Sequence, residues 1–404
     1  MPSVVGDRLE IVAGEGAWLT TAAGQRLLDA GAGLWHANVG HGRADIAEAA
    51  AEQMRTLETY HTFGRIANTP ALDLADELAA LAPMADARVF FTSGGSDSVD
   101  LACKLARRYW QVEGKPTKTT IASRHLGYHG LHGFGTSITG LESNRDGYGA
   151  LSLVPETVRV ATNDLALVRK ELETLGGEHL AAVIAEPVIG TGGVVPPADG
   201  YLTGLQDLCR ELDALFVVDE VITGFGRTGV MFACERFGLE PDMVLFAKGV
   251  TSGYAQLGGA LIGRRVWEPF YVGADAPIFR HGLTYSGHAT ACTVGRANLR
   301  VLHENDLVRR AARLEPILVD ACASLAEHDL VDEVRSGAGL LAGVQLRPEI
   351  DAEQLARACL DDGVLLRAIT GNTLQICPPF VCTEDEIRQI VSAIEGNLGT
   401  VAAA

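Results

Sequence analysis

The sequence predicts an α/β protein in which a large domain, built on a mostly parallel sheet flanked by helices, is followed by a smaller α+β domain. Three observations carry this. Between about residues 70 and 290 short apolar runs alternate with helical patterns, which is how a sheet buried on both faces reads. Beyond about residue 295 the pattern changes to long helices around short strands. The 404 residues also exceed what a single hydrophobic core usually serves.

The elements follow in order. Residues 18–28, W-L-T-T-A-A-G-Q-R-L-L, read as two short strands around a glycine-containing turn, and 44–57 as a helix. Apolar strands are expected at 88–92, 119–122, 181–185, 214–218, 244–246 and 259–262. Helices at 296–304, 307–327, 352–362 and 384–397 surround strands at 340–346, 364–367 and 373–377. These changes divide the chain into an N-terminal segment (1–50) that packs with the small domain, a large domain (51–290) and a small C-terminal domain (291–404).

Composition narrows the function. Hydrophobic residues make up 47% and charged residues 21%, an ordinary globular balance that argues against a disordered chain. The net charge of −18 argues against nucleic acid or an anionic membrane as partner. The N-terminus has neither a basic n-region nor an apolar h-region, and no apolar run approaches a membrane span, so a cytoplasmic protein is expected. Eight scattered cysteines without a C-x-x-C pair read as buried free thiols.

Chemistry is expected where strands end, because ligands of open α/β sheets bind beyond the carboxyl ends of the strands. In F-F-T-S-G-G-S-D-S-V-D (90–100) a strand runs into a glycine pair and a helix beginning near Ser96. Glycines let a ligand approach the backbone and a helix start offers free N–H groups, so Gly95 and Ser96 suit a phosphate; a plain serine-capped turn is the alternative. In A-L-F-V-V-D-E-V (214–221) Asp219 ends an apolar strand. Its carboxylate suits a protonated pyridine nitrogen; the alternatives are a loop cap or a metal ligand, and no His/Asp cluster accompanies it as a metal site would need. In M-V-L-F-A-K-G-V (243–250) Lys248 leaves a buried strand among small residues. Such a lysine either reaches solvent or, if kept in, has a lowered pKa and serves as a nucleophile.

The segments A-E-P-V-I-G-T-G-G-V-V-P-P (185–197), D-E-V-I-T-G-F-G-R-T-G (219–229) and A-K-G-V-T-S-G-Y (247–254) together resemble class III pyridoxal phosphate-dependent aminotransferases, the ω-aminotransferases of fold type I. The likeness runs from about residue 18 to 380. It implies a seven-stranded type of sheet, pyridoxal 5'-phosphate as cofactor, Lys248 as the lysine bonded to it and Asp219 as partner of its ring nitrogen. It further implies Val221 and Tyr128 on the two ring faces, Gly95 and Ser96 at the phosphate, and His129 and Glu186 in the cofactor's surroundings. Thr284, in H-G-L-T-Y-S-G-H (281–288), matches a threonine that reaches the phosphate of a neighbouring subunit, which implies a homodimer with shared sites. Trp35 in G-L-W-H-A-N-V-G-H-G-R (33–43) and Phe63 match substrate-pocket positions. Arg367 in V-L-L-R-A-I-T-G-N (364–372) matches a mobile arginine that clamps carboxylates.

Four positions in three places depart from the family pattern: Ser93-Gly94 replaces Asn-Ser, Gln256 replaces proline and Leu283 replaces an aromatic. The resemblance implies a ping-pong transfer from an amine or ω-amino acid to a keto acid, with pyruvate as acceptor. The alternatives are a 2-oxoglutarate-dependent 4-aminobutyrate or ornithine type of aminotransferase, an aminomutase, or a cofactor-binding regulatory protein without turnover. A nicotinamide dehydrogenase is disfavoured because residues 94–99 lack the G-x-G-x-x-G pattern.

Overall fold

The computed structural model describes residues 8–148 and 153–402, so the reading of the first seven residues lies outside the described part. Its centre is a seven-stranded sheet in the order Arg88–Thr92, Gly258–Ile262, Met243–Phe246, Leu215–Asp219, Leu180–Ala185, Thr120–Arg124, Thr157–Val160. Only Gly258–Ile262 runs against both neighbours; all other pairings are parallel. The middle strands L-A-A-V-I-A, L-F-V-V-D and M-V-L-F are buried along their whole length, which is why they read as continuous apolar runs. The helix Gly95–Val112 covers one face and places Leu101, Leu105 and Trp110 in the core.

Two smaller four-stranded sheets lie outside this layer. One joins Ile11–Glu15, Trp18–Thr21, Arg26–Asp29 and Val364–Leu365; the other joins Val331–Arg335, Ala342–Leu346, Thr373–Ile376 and Arg367–Ile369. The single strand expected over 364–367 is therefore divided between two sheets. Val364–Leu365 pairs in parallel with Leu28–Asp29, then the chain changes sheets at Leu366, and Arg367–Ile369 pairs antiparallel with Thr373–Gln375. The N-terminal strands are thus completed by C-terminal residues, and Trp18 Nε1 donates to Glu386 Oε1 at 2.6 Å.

The helix expected from residue 296 begins seven positions earlier, as Ala289–Glu304, with His288 as its cap. Its first turns, A-T-A-C-T-V-G, are nearly all buried against the helices Ala44–Thr56 and Thr69–Leu81, so no amphipathic period marks them. All eight cysteines are free and buried. Among the described residues no helix is long and apolar enough to cross a membrane.

Candidate active site

At the carboxyl end of the central strands, Gly95, Ser96, Tyr128, His129, Gly130, Glu186, Asp219, Val221, Ile222 and Lys248 surround one cavity of about 210 Å3. They come from five strand ends or the turns after them. Thr92 ends its strand, Gly94 caps the 18-residue helix that follows, and the first helical bond is made by Ser98 N–H to the Gly94 carbonyl at 3.1 Å. The N–H groups of Gly95, Ser96 and Asp97 precede that bond and lie at the positive end of the helix dipole. Space there is made by glycine. A Cβ on Gly95 would stand 3.0 Å from Val221 Cγ1, and one on Gly130, whose φ is +84°, would stand 2.8 Å from Ser96 Cα and closer still to its hydroxyl.

Asp219 closes the strand Leu215–Asp219 and is 4% exposed. One carboxylate oxygen is 2.8 Å from His129 Nδ1, and the other accepts the Val221 N–H at 3.1 Å. The acid is therefore held from two sides. Glu186, also buried, accepts the Tyr128 N–H at 2.9 Å and the Gly190 N–H at 3.0 Å, which ties the loop after Leu180–Ala185 to the Tyr128-His129-Gly130 turn. Burial raises its pKa above the usual glutamate value. Behind it, the buried Arg124 guanidinium donates to the Glu186 carbonyl and lies over the Tyr201 ring.

Lys248 opens a short 3-10 turn after Met243–Phe246, with a left-handed φ of +43°. Such a conformation costs a non-glycine residue energy and persists where the surroundings over-determine it. Its pKa lies below the ordinary lysine value because burial penalises the ammonium; Asp219 and Glu186 pull upward, and the Arg367 charge pushes down. Burial dominates, so the amine is poised toward its neutral, nucleophilic form.

Four of the expected site residues do not line this cavity. Arg367 is exposed on the first residue of its strand and borders a neighbouring cavity with Thr191, Asp351 and Glu353. Its charge nonetheless acts on both Lys248 and Tyr128, and among the described residues no carboxylate pairs with it. Trp35 is only 2% exposed and belongs to a buried apolar cluster with Val188, Val194, Ile222 and Leu341. Phe63 is 46% exposed, its ring lying where a side chain on Gly282 would be. Thr284 is exposed on the same stretch of surface. Sequence reasoning passed over Ile222 and Gly130 as lining residues; the signal for Gly130 was a glycine directly after Tyr128-His129.

The sequence pattern of the family described as aminotransferase class-III matches residues 4–398. The chain is a class III aminotransferase. It is 39% identical to an omega-aminotransferase of Caulobacter vibrioides, covering 96% of this chain and 92% of that one. It is 35% identical to a putrescine–pyruvate aminotransferase of Pseudomonas aeruginosa, covering 98% and 91%. The fold superimposes with a TM-score of 0.92 on a pyridoxal phosphate-bound amine transaminase from an uncultivated Pseudomonas species, at 36% identity over 98% of this chain and 95% of that one.

Class III aminotransferases are pyridoxal phosphate enzymes, and the cavity of this aminotransferase fits that group by its donor set. A helix start cleared by glycine would suit its phosphate, the doubly held carboxylate its ring nitrogen, and the amine with lowered pKa its aldehyde. Val221 and Tyr128 line the same cavity and would offer an apolar and an aromatic face to the ring.

Proposed function

We propose that this aminotransferase carries pyridoxal phosphate on Lys248 and moves an amino group from an amine or ω-amino acid to a keto acid, preferentially pyruvate, in two half-reactions. The observation that carries the site assignment is the convergence of Lys248, Asp219 and the Gly95-Ser96 helix start on a single cavity. When bound, the cofactor supplies an aldehyde that takes up the amino group and a ring that draws electrons from the donor carbon. Lys248 would bond to that aldehyde as a neutral amine with loss of water and, displaced by the donor amine, would take the proton from the donor carbon and deliver it to the cofactor. Asp219, oriented by His129 and the Val221 N–H, holds a proton at the ring nitrogen. Glu186 fixes the Tyr128 backbone and so the aromatic wall. Arg367, exposed and uncommitted, clamps the carboxylate of a keto acid.

The exposure of Thr284 and Phe63 supports a site completed by a second copy of the chain, each copy lending these residues to the other. Pyruvate is supported by the Arg367 context and by the named acceptor of the Pseudomonas aeruginosa relative. The test has two arms. Lys248→Ala must abolish both transamination and the borohydride-stable cofactor label; survival of either sinks the lysine assignment. The amino-loaded enzyme must convert pyruvate and leave 2-oxoglutarate largely untouched; the opposite selectivity overturns the acceptor.

A further inference from the structure

The turn that carries Lys248 is held from outside the cavity by residues the chemistry does not use. Gly249 is bracketed. On one side Asn298 Nδ2 donates to the Gly249 and Val250 carbonyls at 2.9 and 3.0 Å. On the other side Asn38, 1% exposed, lies so close that a Cβ on Gly249 would be 2.7 Å from its Nδ2. Asn38 is itself fixed, donating to the Phe225 carbonyl at 3.1 Å and accepting from Arg227 Nη2 at 2.9 Å.

Arg227 is fully buried, and among the described residues no carboxylate pairs with it. A buried cation without a counter-ion is costly, and hydrogen bonds from its Nη1 and Nη2 offset part of that cost while its Nε has no partner among the described residues. Its Nη1 donates to the carbonyls of Leu340 at 3.0 Å and Pro378 at 2.8 Å, and its guanidinium lies 4.6 Å from the Phe380 ring centroid. These contacts all belong to the C-terminal part of the chain. Asn38 meets the same part, because its carbonyl accepts the Phe380 N–H at 2.8 Å. Hydrogen bonds therefore run from Leu340 and Pro378 through Arg227 to Asn38, and Asn38 is packed directly against Gly249, the residue after Lys248.

We propose that Arg227 and Asn38 are positioning residues for Lys248: Arg227, anchored on the C-terminal carbonyls, sets Asn38, and Asn38 holds Gly249 and with it the left-handed turn that presents the lysine to the cavity. This rests on the reading of Lys248 as the cofactor-bearing lysine. The guanidinium suits this place because it divides its donors between two nitrogens, Nη1 to the two carbonyls and Nη2 to the amide oxygen, whereas an ammonium gathers its donors at one point. Glycine is required at 249 because the asparagine occupies the place of its side chain.

The test compares Asn38→Ala, Arg227→Lys and the double variant with the parent enzyme. A misplaced lysine lowers kcat by on the order of tenfold to a hundredfold with the substrate KM values nearly unchanged. The two single losses must combine non-additively, since both act through one contact. A second readout needs no cofactor. In the cofactor-free protein, the pH at which trace acylation of Lys248 is half-maximal, followed by mass spectrometry, must rise as the loosened turn lets water reach the amine. Asn38→Ser, too short to bridge Arg227 and Gly249, is the milder variant if Asn38→Ala does not fold. Unchanged kcat and unchanged labelling midpoint in folded variants overturn the proposal, as do strictly additive losses. Borohydride trapping in the parent enzyme separates the two claims: cofactor on another lysine sinks the reading of Lys248, whereas cofactor on Lys248 with indifferent variants sinks only the positioning role.

Discussion

Replacing Gly130 with alanine tests the phosphate cradle from its least obvious side. The residue has a φ of +84°, and an added Cβ would lie 2.8 Å from Ser96 Cα, a backbone atom that cannot rotate away. A left-handed alanine costs about 1–2 kcal/mol. Relief of the overlap requires the helix start to retreat by more than half an ångström, and forced repacking of that kind costs about 1–3 kcal/mol. Part of this total, roughly 2–5 kcal/mol, appears as lost stability and part as a displaced Ser96. If about 1.4 kcal/mol falls on the cofactor phosphate, its Kd rises about tenfold. The assay is an absorbance titration of cofactor-free protein with pyridoxal phosphate, accompanied by thermal melting at a fixed scan rate. Gly133→Ala, three residues on at the first position of the helix Gly133–Ile138, is the control, because its Cβ would meet nothing nearer than 3.6 Å. Cofactor affinity and Tm equal to the parent's in Gly130→Ala, or equal losses in the two variants, would refute the account of the cradle.

Other outcomes concern charge and the second copy. Because burial lowers the Lys248 pKa, the cofactor-free protein must show half-maximal acylation of this lysine below the ordinary value of about 10.4. Arg367 contributes to that lowering, so Arg367→Ala must move the midpoint upward; a downward move contradicts the charge assignment. The same variant must weaken reactions of carboxylate-bearing substrates far more than those of simple amines, measured as kcat/KM, and equal losses would make Arg367 structural. Mixing Lys248→Ala with Thr284→Ala subunits must give more activity than either alone, because one site of each hybrid dimer then has both native residues. Failure to complement under conditions that exchange subunits counts against shared sites.

Much of the large domain was legible because its central strands are buried on both faces and therefore announce themselves as unbroken apolar runs. The strands that escaped notice are those with weaker burial. Thr157–Val160 sits on the sheet edge with Arg159 half-buried, and Val331–Arg335, V-D-E-V-R, exposes its acidic residues. Each polar group after the apolar runs had a plain structural alternative in its own segment; the fold brings Gly95, Ser96, Asp219 and Lys248 to one cavity. The His129–Asp219 contact and the tie from Glu186 to Tyr128 were not readable as contacts, since they bridge segments 90 and 58 positions apart. The sequence context of Trp35 suggests a pocket wall, and the fold buries it in an apolar cluster that includes Ile222, itself on the cavity wall.

The parallel pairing of Leu28–Asp29 with Val364–Leu365 has a consequence for how the molecule is made. Strands near residue 20 emerge early in synthesis, yet their closing partner and the Glu386 acceptor for Trp18 arrive 300 or more positions later, 368 for that hydrogen bond. Contacts so distant in sequence form slowly because a long loop must close first. The nascent chain therefore carries an uncompleted sheet edge through most of translation, a surface open to wrong pairing with other chains. Chaperone dependence and low-temperature expression gains would follow from this early-first, closed-last arrangement, and truncation near residue 360 would leave the N-terminal hairpin without its neighbour.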